Sequence, residues 1–194
     1  MKKPQGLNKE QMFYIETARQ KVLQLFYNFS DKEFSLSDIA KEAGVAKANL
    51  GVILVSLESA GLIKIEKLTK IWRIKANQEN WIFKRAKIVY NLNFIYQSGL
   101  VEFLNEVYHN PKAIILFGSF RKGDDISTSD IDIAIESDLA KDYKIHGLRE
   151  LTDFERTIRR KIQIHEFNRK SIDKGLFNSI ANGIVLMGFL EVNK

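Results

Sequence analysis

Two aspartates, Asp130 and Asp132, stand two residues apart in Ser129-Asp130-Ile131-Asp132-Ile133-Ala134-Ile135, with apolar residues between and beyond them. Side chains alternate faces in extended backbone, so both carboxylates project to one side while Ile131, Ile133 and Ile135 project to the other. Asp is depleted in strands, and a pair on one face calls for a reason. Carboxylates held side by side on a rigid strand suit Mg²⁺, which takes one or two protein carboxylates and completes its shell with water and substrate phosphates. Upstream, Ala113-Ile114-Ile115-Leu116-Phe117 is a continuous apolar run, as expected of a strand buried on both faces, and it ends at Gly118-Ser119. Gly118 lets a phosphate approach the backbone, and Ser119 offers a hydroxyl and an N–H at a helix start. Arg121 and Lys122 follow, either as phosphate-neutralising cations or as solvated loop residues. A Gly-Ser pair alone reads as an ordinary turn. Its combination with paired carboxylates on the next strand points to a site for a metal-bound phosphate.

The elements that must position these groups can be read on both sides of them. Strands are expected at Asp130 to Glu136 and Lys161 to Phe167, separated by a helix near Tyr143 to Arg160, which makes this half mixed α and β. From Gln78 to Tyr108 a long helical region carries Trp81, Phe83, Tyr90, Phe94, Tyr96 and Phe103, with Gly99 a break. Aromatics at helical intervals are expected in the core. Before it, Asn8 to Phe29 has apolar residues at helical spacing, including Met12, Ile15, Val22, Leu25, Phe26 and Phe29. The stretch Phe34 to Val45 reads as a short helix opened by a Ser cap and closed at Gly44. Lys47 to Ala60 resumes the helical period through Leu50, Ile53, Leu54 and Leu57, and Gly61 stops it. Leu62 to Glu66 and Ile71 to Ile74 alternate apolar with polar around Lys67-Leu68-Thr69-Lys70, the pattern of a β-hairpin.

Composition limits the partners. The chain has 194 residues, a net charge of +6 and 45% hydrophobic residues, enough for one large domain or two small ones with real cores. The basic balance favours polyanions such as DNA, RNA or nucleotides, or a solvated lysine-rich surface. With no Cys, disulfides, thiolate metal sites and cysteine nucleophiles are excluded, and a reducing cytoplasm is the expected setting. No apolar run approaches the roughly 20 residues that span a bilayer, so no membrane partner is expected.

Gly118-Ser119, Gly123 and Ser129-Asp130-Ile131-Asp132 together resemble the signature of the polymerase β nucleotidyltransferase superfamily, in particular its minimal members. Ile180 to Met187 is similar to the terminal helix-to-strand segment of those small domains, so the resemblance spans roughly residues 100 to 194. It implies transfer of a nucleoside monophosphate from an NTP to an acceptor hydroxyl of a protein or RNA. Gly118 and Ser119 would hold the triphosphate, and Asp130 and Asp132 would hold two Mg²⁺ ions as catalytic metal ligands. The family presents a third carboxylate on the neighbouring strand, where this chain has Gln163 in Lys161-Ile162-Gln163-Ile164-His165-Glu166. A neutral amide neither binds metal as a carboxylate does nor assists deprotonation of the acceptor.

The order helix, helix, Gly turn, helix and hairpin over roughly residues 10 to 76 resembles a winged helix-turn-helix. The resemblance implies double-stranded DNA as partner, with Lys47 and Asn49 in the major groove and Lys64, Lys67, Lys70 and Arg73 of the wing near phosphates. Such domains also serve as protein-interaction modules, and Ala46, Ala48 and Gly51 are poor base readers. The expected architecture is therefore an α+β two-domain chain: a winged helix-turn-helix at 1–76, a helical connector at 77–110, and a nucleotidyltransferase-like fold with a small mixed sheet at 111–194. Two functions remain open, an NTP-dependent transferase or a catalytically impaired nucleotide-sensing regulator of antitoxin-like kind, as does a homodimer.

Overall fold

A computed structural model describes residues 16–69 and 71–192. Among the described residues the chain is mixed α and β, with two separate sheets of three and five strands, and it divides into two compact units. One contains residues 91–123 and 128–192, the other residues 16–90 and 124–127. The chain passes between the units at 90/91, inside a helix, and again at 123/124 and 127/128.

In the second of these, helix α1 spans Ala18–Asn28. It opens on a capping box in which Thr17 and Gln20 satisfy each other's backbone N–H groups. The expected helical start at Asn8, together with Met12 and Ile15, lies outside the described residues; the described part begins later, at this cap. Strand β1 (Glu33–Phe34) follows, a correction to the reading of Phe34 as part of a helical segment. Helix α2 (Leu36–Ala43) is capped by Ser35 and closed by Gly44 at φ 62°, the left-handed stop its sequence calls for. Helix α3 (Lys47–Ser59) buries Leu50, Leu54 and Leu57. Strands β2 (Ile63–Lys67) and β3 (Trp72–Ala76) pair antiparallel, and β1 adds to the outside of β3. Val22, Phe26, Ile39, Leu50, Leu54, Leu57 and Ile74 form the core of this unit, all with no exposed surface.

Helix α4 (Trp81–Gln97) sends Phe83, Ala86 and Tyr90 into that core. The reading of its aromatics as core needs correction at two positions, because Trp81 is 61% and Tyr96 41% exposed. Trp81 is covered instead by the Arg85 guanidinium, 4.5 Å from the ring centroid. In the same unit the segment 124–127 is tied down by polar bonds, buried at Asp125 and exposed at Ser127. Lys87 Nζ lies 3.2 Å from Asp125 Oδ2 and 3.0 Å from Ser30 Oγ, and it also donates to the Asp125 carbonyl. Asp31 accepts from both the N–H and the hydroxyl of Ser127 at 2.8 Å.

In the other unit, Gly99 takes φ 75° and starts helix α5 (Leu100–Val107). Strands β4 (Ala113–Phe117), β5 (Ile131–Glu136), β6 (Lys144–His146), β7 (Ile162–Phe167) and β8 (Ile184–Gly188) form one sheet in the order β6-β7-β5-β4-β8. The short helix α6 (Gly118–Lys122) follows β4 directly. The expected helix from Tyr143 to Arg160 is corrected: its start is the edge strand β6, and only Thr152–Ile158 is α-helical, as α7. Lys144-Ile145-His146 pairs antiparallel with Glu166 to Ile164 of β7, and that pairing overrides local helical spacing. Helix α8 (Lys174–Ala181) is capped by the Asp173 carboxylate.

The sheet is packed on both faces. Ile131, Ile133, Ile135, Ile162 and Ile164 meet Leu151, Phe154 and Ile158 of the α7 region and Leu100, Phe103 and Leu104 of α5. Ala113, Ile115, Phe117, Ala134 and Phe167 meet Ile180, Leu176 and Phe177 of α8. Asp132, two residues from Ala134, shares this second face.

Candidate nucleotide site

Cross-strand register assembles the site. In the antiparallel pair β4·β5, Phe117 lies opposite Asp132, so the chain turns into α6 at Gly118 just beside that carboxylate. Gly118 adopts φ 71°, and a Cβ placed on it would overlap Asp132 Oδ2. This corner therefore requires glycine twice, for its left-handed backbone and for the carboxylate that fills the space.

In the parallel pair β5·β7, Asp132 lies opposite Gln163 and Ala134 opposite His165, which places Gln163 and His165 on the aspartate face. Gln163 Nε2 donates to Asp130 Oδ2. His165 Nε2 lies 3.2 Å from Asp132 Oδ1. Asp130 and Asp132 thus face the same strand, and each contacts one polar side chain of it. His165 is 6% exposed and its other ring nitrogen, Nδ1, lies 2.6 Å from the Tyr143 hydroxyl. Its ring stands edge-on to Phe117, with centroids 4.7 Å apart at 80°. Burial and the nearby Asp132 charge raise the Tyr143 pKa, so its phenol stays protonated. Glu166 faces the other way, toward His146 of β6 at 4.0 Å.

Two half-buried carboxylates next to a glycine corner with no side chain are a donor set that fits a hard divalent cation sharing its shell with phosphate. The neutral Gln163 adds no negative charge to it. No cluster of three His, Asp or Glu side chains suited to a metal is present among the described residues. Ser119 is half-buried at the start of α6 and Lys122 is exposed. Arg121 is half-buried, and its Nε finds no hydrogen-bond partner among the described residues.

The sequence drew attention to Asp130, Asp132, Gly118 and Gln163, and the sheet brings these together. It missed Tyr143, which lies in the segment read as helix and reaches His165 only through the sheet. The alternation Gln163-Ile164-His165 put His165 on the right face without indicating its aspartate partner.

The positions singled out for DNA lie in the other unit and are mostly on its surface. Lys47 and Asn49 are exposed on the first turn of α3, and Lys47 Nζ donates to Ser37 Oγ at 3.1 Å. Lys64 is paired with Glu79 at 2.5 Å. Arg73 lies 3.9 Å from Glu33, and Lys67 caps the Trp72 ring at 4.5 Å. Lys70 lies outside the described residues. No described helix is long and apolar enough to cross a membrane.

No curated protein matches the chain. Among solved structures, the crystal structure of NadR in complex with 4-hydroxyphenylacetate is similar at 21% identity, over 47% of this chain and 62% of that one, with a TM-score of 0.34. This chain therefore spans less than two thirds of that protein's length. The stretch that carries β4, β5, β7 and the corner between them has the firmer likeness: residues 100–189 match the family model described as "Polymerase beta, Nucleotidyltransferase".

Proposed function

We propose that the chain is a Mg²⁺-dependent nucleotidyltransferase that moves a nucleoside monophosphate from an NTP to an acceptor hydroxyl, coupled to a DNA-binding winged-helix domain. The observation that carries this reading is the Asp132 carboxylate set against the Gly118 corner, with Asp130 on the same side. The Ser119 hydroxyl and N–H, which follow the Gly118 corner at the start of α6, bind a phosphate of the nucleotide. Arg121, three residues after Gly118 on α6, has an Nε with no hydrogen-bond partner among the described residues and is suited to an anion. Asp130 and Asp132 hold the metal. Mg²⁺ held by these two carboxylates would supply positive charge to offset the charge that develops on the phosphate oxygens. The acceptor oxygen attacks the α-phosphorus, the bond to the β-phosphate oxygen breaks, and pyrophosphate leaves with that electron pair.

The N-terminal unit supports the second half of the proposal through its order of three helices and a hairpin, with the first turn of α3 exposed. Lys47, Asn49 and the wing residues Lys64, Lys67, Lys70 and Arg73 would face DNA.

One observation favours a second reading. Gln163 offers no carboxylate for the metal and no base for the acceptor proton, so a catalytically impaired nucleotide sensor that controls DNA binding is the alternative. Incubation with labelled NTPs, Mg²⁺ and cellular RNA or protein separates the two. Label transfer that disappears in both Asp130→Asn and Asp132→Asn supports the enzyme. Nucleotide binding without transfer, accompanied by a shift in DNA affinity, supports the sensor.

A further inference from the structure

We propose that His165, held between the Asp132 carboxylate and the Tyr143 hydroxyl, is a positioning residue of the nucleotide site that turns Asp132 so that its Oδ2 faces the Gly118 corner. The inference rests on the nucleotide and metal reading above and concerns how this chain works without a third carboxylate.

The hydrogen-bond chain has one direction. Asp132 as a carboxylate only accepts, so the proton of a neutral His165 ring sits on Nε2, 3.2 Å from Asp132 Oδ1. The unprotonated Nδ1 then only accepts, and the Tyr143 hydroxyl at 2.6 Å is its donor. The ring has no freedom to turn: it is 6% exposed, edge-on to Phe117, and backed by Tyr143 at 6.0 Å between centroids. With Oδ1 engaged by His165, the remaining oxygen Oδ2 is the one that a Gly118 Cβ would overlap. The two oxygens of Asp132 thus have separate tasks, one for orientation and one for the cation.

Gln163 completes the same logic one step along β7, since its amide donates to Asp130 Oδ2. Where a third acidic ligand would add negative charge, this strand presents two N–H donors to the two aspartates. Outer hydrogen bonds of this kind fix ligand geometry, and their loss costs about 10–100-fold in metal affinity. His165 touches neither nucleotide nor acceptor in this arrangement, which makes it a positioning residue and not a catalytic one.

The test uses the full chain with MgATP and a non-hydrolysable ATP analogue in titration calorimetry, with Mn²⁺ as a paramagnetic probe. Thermal melts verify that every variant is folded. His165→Gln keeps an N–H near the Nε2 position, whereas His165→Leu keeps bulk and loses the donor. The expected result is a roughly 10–100-fold loss of metal-dependent affinity in His165→Leu and affinity within about threefold of wild type in His165→Gln. In ¹⁵N spectra, His165 of the wild type should show a protonated Nε2 and a bare Nδ1, and Asp132→Asn, whose amide can donate as well as accept, should move it toward a mixture of tautomers. Unchanged affinity in a folded His165→Leu, equal losses in the Leu and Gln variants, or a protonated Nδ1 in wild type would each overturn the proposal. If the wild type itself binds no metal-nucleotide, the underlying nucleotide reading fails, and the positioning role goes with it.

Discussion

Gly118 and Asp132 occupy the same small volume: the hydrogen where a Cβ would stand is what leaves room for the Asp132 carboxylate oxygen. Gly118→Ala therefore meets two obstacles, a left-handed φ of 71° and an overlap with Oδ2. The φ alone costs about 1–2 kcal/mol for a residue with a Cβ. Displacement of Asp132 should add a loss of nucleotide binding that exceeds the loss of stability. Melting temperature and nucleotide affinity measured on the same variant check this. A fall in stability with full nucleotide affinity would argue that the corner is only structural.

A second expectation concerns Lys87. Its ammonium and the Asp125 carboxylate are both essentially without exposed surface, 3.2 Å apart. Removal of one partner of a buried pair leaves the other charge uncompensated, which costs about 3–5 kcal/mol. Lys87→Met should therefore destabilise the chain far more than Lys84→Met, whose partner Asp124 is half exposed at 2.7 Å and whose ion pair contributes about 0–1 kcal/mol. Denaturant unfolding of the two variants measures the difference.

Acid sensitivity should show at Asp31. Partial burial pushes its carboxyl up, and the backbone and hydroxyl hydrogen bonds from Ser127 outweigh that push, which leaves its pKa below the ordinary 3.8. A depressed folded-state pKa adds stability above the unfolded value, and that stability is lost as pH falls through the folded one. Asp31→Asn should accordingly melt below wild type at pH 5 to 7, with the gap narrowing as the pH drops under about 4. Melts across that range test the sign directly. A constant gap would show that the Ser127 bonds do not depend on the charge.

For the proposed DNA interface, ion pairing within the protein ranks the lysines. Lys64 is already held by Glu79 at 2.5 Å, while Lys47 donates to the neutral Ser37 hydroxyl at 3.1 Å. Lys47→Ala should weaken binding to duplex DNA more than Lys64→Ala does, and it should lower the slope of log affinity against log salt by about one unit. Fluorescence anisotropy at several salt concentrations gives both quantities. Equal and salt-independent affinities would point to a protein-interaction surface on this unit.

Part of this molecule was legible without coordinates because the relevant physics is local. Period-two alternation put Asp130 and Asp132 opposite their isoleucine neighbours, and the Ser35 cap and Gly44 stop bounded α2 where their chemistry requires. The unbroken run Ala113–Phe117 marked a strand buried on both faces, and all five residues are buried. Each of these depends on residues a few positions apart. The contacts of His165 with Asp132 and with Tyr143 depend on strand order and register across more than twenty intervening positions, and local spacing carries no information about those. The same limit explains the misread start of the segment after Tyr143, whose edge strand exists only because β7 offers it hydrogen bonds. It also explains why Lys64 and Arg73 looked like free cations until the fold brought Glu79 and Glu33 beside them. The sequence determined which groups were available and which face each would take. Tertiary structure decided which of them meet, because pairing between distant strands is selected by the packing of the whole sheet and not by any one segment of it.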